Sequence, residues 1–125
     1  MKIGDIVKIF APVAGYEKYH FCVCIPENGN AGCFLFLNSD PTYKDCLAVD
    51  CNRIPCLPVS KTGKTAISFS LLMRYNEEKL RLYSAQVIGD MPKDVLAEMI
   101  EFTNTVTSLP SNDRATLLGT LNKLK

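Results

Sequence analysis

The chain has 125 residues, 47% of them hydrophobic and 22% charged, the composition of one ordinary soluble globular domain rather than of a disordered or membrane-embedded chain. Fourteen lysines and arginines stand against thirteen acidic residues, a formal charge of +1, which excludes nucleic-acid binding by bulk positive charge and requires any polyanion site to be local. A domain this long buries roughly two-thirds of the surface that its unfolded chain exposes, so it needs neither metal nor disulfides as staples.

Residues 5–11 read as a strand of β-branched and aromatic residues, ended by Pro12 and Gly15. Residues 19–25 form a second strand and 33–38 a third, joined by the dense turn signal from Pro26 to Gly32, so the pair is a β-hairpin. Phe21, Val23 and Ile25 alternate with Cys22 and Cys24, and Cys33, Leu35 and Leu37 with Phe34 and Phe36, which makes both faces apolar. Something must cover both: a helix, a barrel interior or a second subunit.

A further strand is expected near Leu47–Cys51, before a Pro-rich passage from Ile54 to Val59 that suits neither an internal strand nor a helix interior. After the basic loop at 60–64, alternation resumes over 65–71 with Ile67, Phe69 and Leu71 on one face, and Leu80–Val87 is expected as a last strand. Asp90 is expected to cap a helix with Pro92 in its first turn, carrying Val95, Leu96, Met99, Ile100, Phe102 and Val106 as its apolar stripe and stopping before Pro110. Ser111 or Asn112 is expected to cap a second helix with Leu117, Leu118, Leu121 and Leu124. The expected class is therefore α+β: five to six short strands over about residues 1–88, curled into a small sheet or barrel, closed by helices over about 90–125.

The N-terminal stretch carries Asp5 and Lys8 and lacks the unbroken apolar core of a signal peptide, and no run approaches the length of a spanning helix, so a cytoplasmic protein with no membrane partner is expected. There Cys22, Cys24, Cys33, Cys46, Cys51 and Cys56 are expected to be reduced. They contain no C-x-x-C pair and have one histidine among them, so no metal is expected and the thiols serve as small core hydrophobes. No cofactor is expected either.

Ser60-Lys61-Thr62-Gly63-Lys64-Thr65 looks like the end of a phosphate-binding P-loop, but that motif needs glycine where Pro58 stands, and no helix opens after it. The loop reads as exposed, with two lysines available to a nucleic-acid backbone. His20, the sole histidine, is the sole imidazole acid or base available near neutral pH, and it begins a strand where a side chain is half exposed at a sheet edge. Asn38-Ser39-Asp40 ends the neighbouring strand, where its polar groups either converge with His20 or serve as turn chemistry before Pro41.

The order of these features resembles the PemK/MazF toxin family. The likeness opens with Ile3-Gly4-Asp5-Ile6-Val7 and runs through the strands at 21–25 and 33–39 and the passage Leu47–Arg53. It continues with the loop at 60–64, the strand at 65–71 and the closing helix from Ile88-Gly89-Asp90 to Phe102. The resemblance implies an SH3-like barrel, a homodimer, a cognate antitoxin as protein partner and metal-independent endoribonuclease activity on single-stranded RNA. It further implies His20 as acid or base where the family has arginine, Ser39 as phosphate donor, and Lys18, Arg53, Lys61 and Lys64 as RNA-binding cations. Tyr16 or Tyr19 would stack on a base, and Arg74 would stand one residue from the place of the family's second arginine.

The family's acidic-Gln-x-Arg segment falls near Ser70–Met73, where its polar residues are absent, and the helix from Ser111 to Leu124 extends beyond a minimal family member. Beside the ribonuclease toxin stand a catalytically inactive relative that binds protein or nucleic acid, and an unrelated SH3-like interaction domain.

Overall fold

β-branched and aromatic residues that alternate in burial favour an extended backbone, and the computed structural model, which describes all residues from 1 to 125, has seven strands. They are β1 (Asp5–Ala11), β2 (Tyr16–Cys24), β3 (Gly32–Asn38), β4 (Cys46–Asp50), β5 (Lys64–Ser68), β6 (Met73–Tyr75) and β7 (Gln86–Asp90). The helices are α1 (Glu77–Leu82), α2 (Lys93–Thr103) and α3 (Ser111–Leu124), and a 3-10 turn spans Cys51–Arg53. Every strand pairing is antiparallel, in the order β4-β5-β3-β2-β1-β7, with β6 added beside the start of β3. The class is α+β, but the sheet is open where a closed barrel was expected: β4 and β7 do not pair with each other and remain its two edges. No helix is long and apolar enough to cross a membrane.

Several elements differ from the sequence reading for identifiable reasons. The strand expected over 65–71 stops at Ser68, because β3 pairs with β5 only at Leu37 and Asn38 and then with β6 at Gly32–Phe34. Between them Phe69 and Leu72 turn into the core while Leu71 points outward. The strand expected over Leu80–Val87 begins as helix α1: the Asn76 side chain accepts from the Lys79 N–H at 2.7 Å, and Glu77 and Glu78 occupy the positive end of the helix. Ser84, in the left-handed region at φ 55°, ends that turn, and β7 starts at Gln86.

Asp90 does not cap α2 but ends β7 opposite Asp5, leaving Pro92 at the N-cap. Pro110, not Ser111 or Asn112, holds that position before α3. Its fixed φ suits a helix entry. α2 ends at Thr103, so Val106 is buried from the following loop rather than from the helix.

Both faces of the sheet are covered from within the chain. One face, carrying Phe21, Val23, Leu35 and Ile67, meets Val95 and Met99 of α2 and Leu117 and Leu121 of α3 in the main core. The other, carrying Val7, Ile9, Cys22 and Phe34, meets Tyr75 and Leu80 in a smaller one. Covering that second face therefore does not require a second subunit.

β7 meets the Pro-rich passage at Gly89, where a Cβ would lie 2.6 Å from Cys56 Cβ and 2.7 Å from its sulfur. Only a residue without a side chain permits this approach. Gly89→Ala is expected to lower stability by about 1–3 kcal/mol in urea titration, the usual cost of overpacking. Cys56→Gly in the same chain is expected to recover part of it, since coupled neighbours are non-additive; purely additive losses would rule out this contact as the cause.

Candidate ligand-binding groove

The antiparallel pairing of β2 and β3 sets the start of one beside the end of the other, with Tyr19 opposite Leu37, and β5 joins at Leu37↔Ile67 and Asn38↔Ala66. At this corner the turn after β3 and residues Leu57–Lys61 line a groove of about 870 Å³. Four lysines line it: Lys18 from β2, Lys44 from the turn after β3, Lys61 from the basic loop and Lys64 from β5. Tyr16 and Tyr43 are 60% and 62% exposed and lie along the same groove with Ser39. Glu17 and Asp40 are its acidic members.

These charges are not equally free. Glu17 pairs with Lys8 at 3.3 Å, and Lys64 with Asp50 at 2.5 Å, an exposed contact that holds the Asp50 carboxyl below its ordinary range. Asp40 accepts from the Thr42 N–H and hydroxyl, which lowers its pKa likewise. The Lys18 ammonium donates to Asn38 Oδ1 at 2.6 Å and lies 4.3 Å from the centre of the Phe36 ring; partial burial lowers its pKa. Lys44 and Lys61 make no ion pair and are available to a ligand. The Thr62 hydroxyl donates to the Ser39 carbonyl at 2.7 Å and ties the basic loop to the end of β3.

Of the residues expected to act on RNA, Lys18, Ser39, Lys61 and Lys64 meet at this groove, and His20 does not. β2 begins at Tyr16 rather than at 19 and lies between β1 and β3, so His20 sits mid-strand, opposite Val7 and Phe36, instead of at a sheet edge. It is 0% exposed. Its Nδ1 lies 3.0 Å from the Lys18 carbonyl, so Nδ1 carries the proton and donates, and Nε2 then accepts from the Tyr75 hydroxyl at 3.3 Å. Phe34, Phe36 and Tyr75 surround the ring, and burial lowers its pKa to about 4. The expected acid–base partnership of His20 with Ser39 is therefore absent: the imidazole is neutral, occupied at both nitrogens and behind the groove wall.

Arg53 and Arg74 also lie outside the groove. Arg53 is tied to Asp94, at 3.0 Å, and to Glu98 on α2, which raises its pKa. Arg74 pairs with Asp113 of α3 at 2.7 Å. Arg53 ties the 3-10 turn to α2, and Arg74 ties β6 to α3.

The sequence reading assigns nothing to Tyr43 and Lys44, which lie between Pro41 and the strand expected from Leu47; an aromatic beside a lysine in an exposed turn is the signal that points to them. Asp45, at φ 55°, fixes the far end of that turn by accepting from the Thr107 and Ser108 N–H groups and the Ser108 hydroxyl, which holds its carboxyl below the ordinary range. Compared with protein-family models, curated proteins and solved structures, the chain matches none.

Proposed function

We propose that the groove binds single-stranded RNA and does not cleave it. The observation that carries this is the grouping of Lys18, Lys44, Lys61 and Lys64 with exposed Tyr16 and Tyr43 along one groove of a chain whose net charge is only +1. Lysines attract the phosphates without reading sequence, and each tyrosine face takes an unstacked base, worth roughly 1–3 kcal/mol per base. A duplex hides its base faces and gains nothing from the tyrosines. This keeps the binding half of the PemK/MazF resemblance and gives up its cleavage half, because His20 is sealed behind Phe36 and the family's polar segment is missing at Ser70–Met73.

The test is fluorescence anisotropy with a labelled single-stranded RNA, titrated at several salt concentrations beside the same RNA annealed to its complement. Lys44→Ala/Lys61→Ala is expected to weaken single-strand binding and to flatten the log K against log salt slope by about 1.4, at ~0.7 for each phosphate that is no longer neutralised. Tyr16→Ala is expected to weaken binding about tenfold with the salt slope unchanged. Arg53→Ala is expected to leave both alone. Equal affinity for duplex, or no binding by the wild-type chain, would overturn the proposal; discrete cuts in the RNA with chelator present would restore the ribonuclease.

A further inference from the structure

Cys24 and Cys33 stand directly opposite one another in the β2–β3 ladder, just beyond the irregularity between Cys22 and Cys24. Opposed residues of antiparallel strands point their side chains to one face, with Cα atoms roughly 4.5–5.5 Å apart, inside the range of about 4.4–6.8 Å that a disulfide spans. Both are free thiols and only half-buried, so a small reagent can reach them.

Burial and the neighbouring Cys33 raise the pKa of the Cys24 thiol, and Lys123 of α3 and Arg74 of β6 offset part of that rise, so the case for exchange rests on the placing of the two sulfurs and their access. None of the other four cysteines competes. Cys22 points to the opposite face and is fully buried, Cys46 pairs with Ser68, Cys51 is buried in the 3-10 turn, and Cys56 packs on Gly89.

We propose that Cys24 and Cys33 are a reversible dithiol–disulfide pair, closed by exchange with a small-molecule disulfide such as oxidised glutathione. One protein thiolate attacks a sulfur of the reagent, whose S–S bond breaks; a mixed disulfide forms and one small thiolate leaves, taking up the proton the protein gave. The second protein thiolate attacks the protein sulfur of that mixed disulfide, forming the Cys24–Cys33 bond and expelling the second small thiol. Two electrons and two protons pass from the pair to the reagent. The new bond closes the turn between β2 and β3 into a ring, including Asn28 and Gly29, both in the left-handed region.

The full chain, equilibrated in glutathione buffers of increasing oxidised fraction, is alkylated and digested without reduction. The expected result is loss of two of the six titratable thiols and a linked peptide pair joining Cys24 to Cys33, both reversed by dithiothreitol. In Cys24→Ser, Cys33 is expected to carry glutathione instead. A link between any other two cysteines, glutathione carried separately on Cys24 and Cys33 of the wild-type chain, or six thiols unchanged in fully oxidised buffer would each overturn the proposal.

Discussion

Lowering the pH from 7.5 to 4.5 is expected to weaken the folded state by roughly 3 kcal/mol, and most of that loss is expected to vanish in His20→Asn. In the unfolded chain the imidazole titrates at its ordinary 6.5, whereas in the fold burial among Phe34, Phe36 and Tyr75 lowers it to about 4. Between those values the unfolded state binds a proton that the folded state refuses. The contribution of the neutral ring is thus complete above pH 6.5 and is lost as pH falls toward 4, at about 1.4 kcal/mol per pH unit. The charge of Lys18 adds to the lowering; the Tyr75 hydroxyl stays neutral throughout this range, since burial raises its pKa.

The aspartates with lowered pKa, Asp40, Asp45, Asp50 and Asp94, sit below 3.8 and lose their contributions in a separate, more acid window. Because His20 is the sole histidine, urea unfolding at a series of pH values isolates it. The variant begins less stable, since Asn replaces only part of the hydrogen bonding and leaves space beside Phe34, but its stability should be nearly flat from 7.5 to 4.5. An imidazole that titrates near 6.5 in the folded protein by NMR would mean an open ring and would return His20 to consideration as an acid or base.

The misplacement of His20 marks where local sequence stops being informative. Alternation and turn residues were enough for β1 to β4 and the hairpin, because each signal is complete within a few residues. The position of a strand within its sheet is not such a signal. His20 looked like an edge residue because the polar Tyr16–Tyr19 run resembles a loop, yet those residues pair with Ala11 through Lys8 and extend β2. α1 was missed for the opposite reason: its Asn76 cap and charged first turn were readable, but Leu80, Leu82 and Val87 gave a competing strand pattern. The resemblance implies RNA roles for Arg53 and Arg74; their partners, Asp94, Glu98 and Asp113, lie far along the chain and become neighbours only after folding, so the sequence does not announce the ion pairs. Lys18, Ser39, Lys61 and Lys64 were placed in one site by resemblance; the β2–β3–β5 register supplies a geometric reason for their meeting.

Ending the chain after Leu109 is expected to abolish cooperative folding, although the residues removed form what the sequence presents as an appended helix. At 14 residues with Gly119 in its middle, α3 has little stability alone, so its order must come from what it packs against. Leu117 and Leu121 are fully buried in the main core, the Thr120 hydroxyl donates to the Val23 carbonyl of β2 at 2.8 Å, and Asp113 pairs with Arg74. Leu124 reaches back to Gly4, where a Cβ would come within 2.9 Å of its side chain. Leu121→Ala alone is expected to cost about 3 kcal/mol in urea titration, within the usual span for buried leucines. Adding Leu117→Ala should bring the loss to about 6 kcal/mol, the low end of the about 5–15 kcal/mol that holds an ordinary domain folded. Leu118→Ala, on the less buried side of the same helix, is expected to cost much less and serves as the control. If the shortened chain gives a well-dispersed NMR spectrum and a sharp unfolding transition, α3 is an accessory element and the main core closes without it.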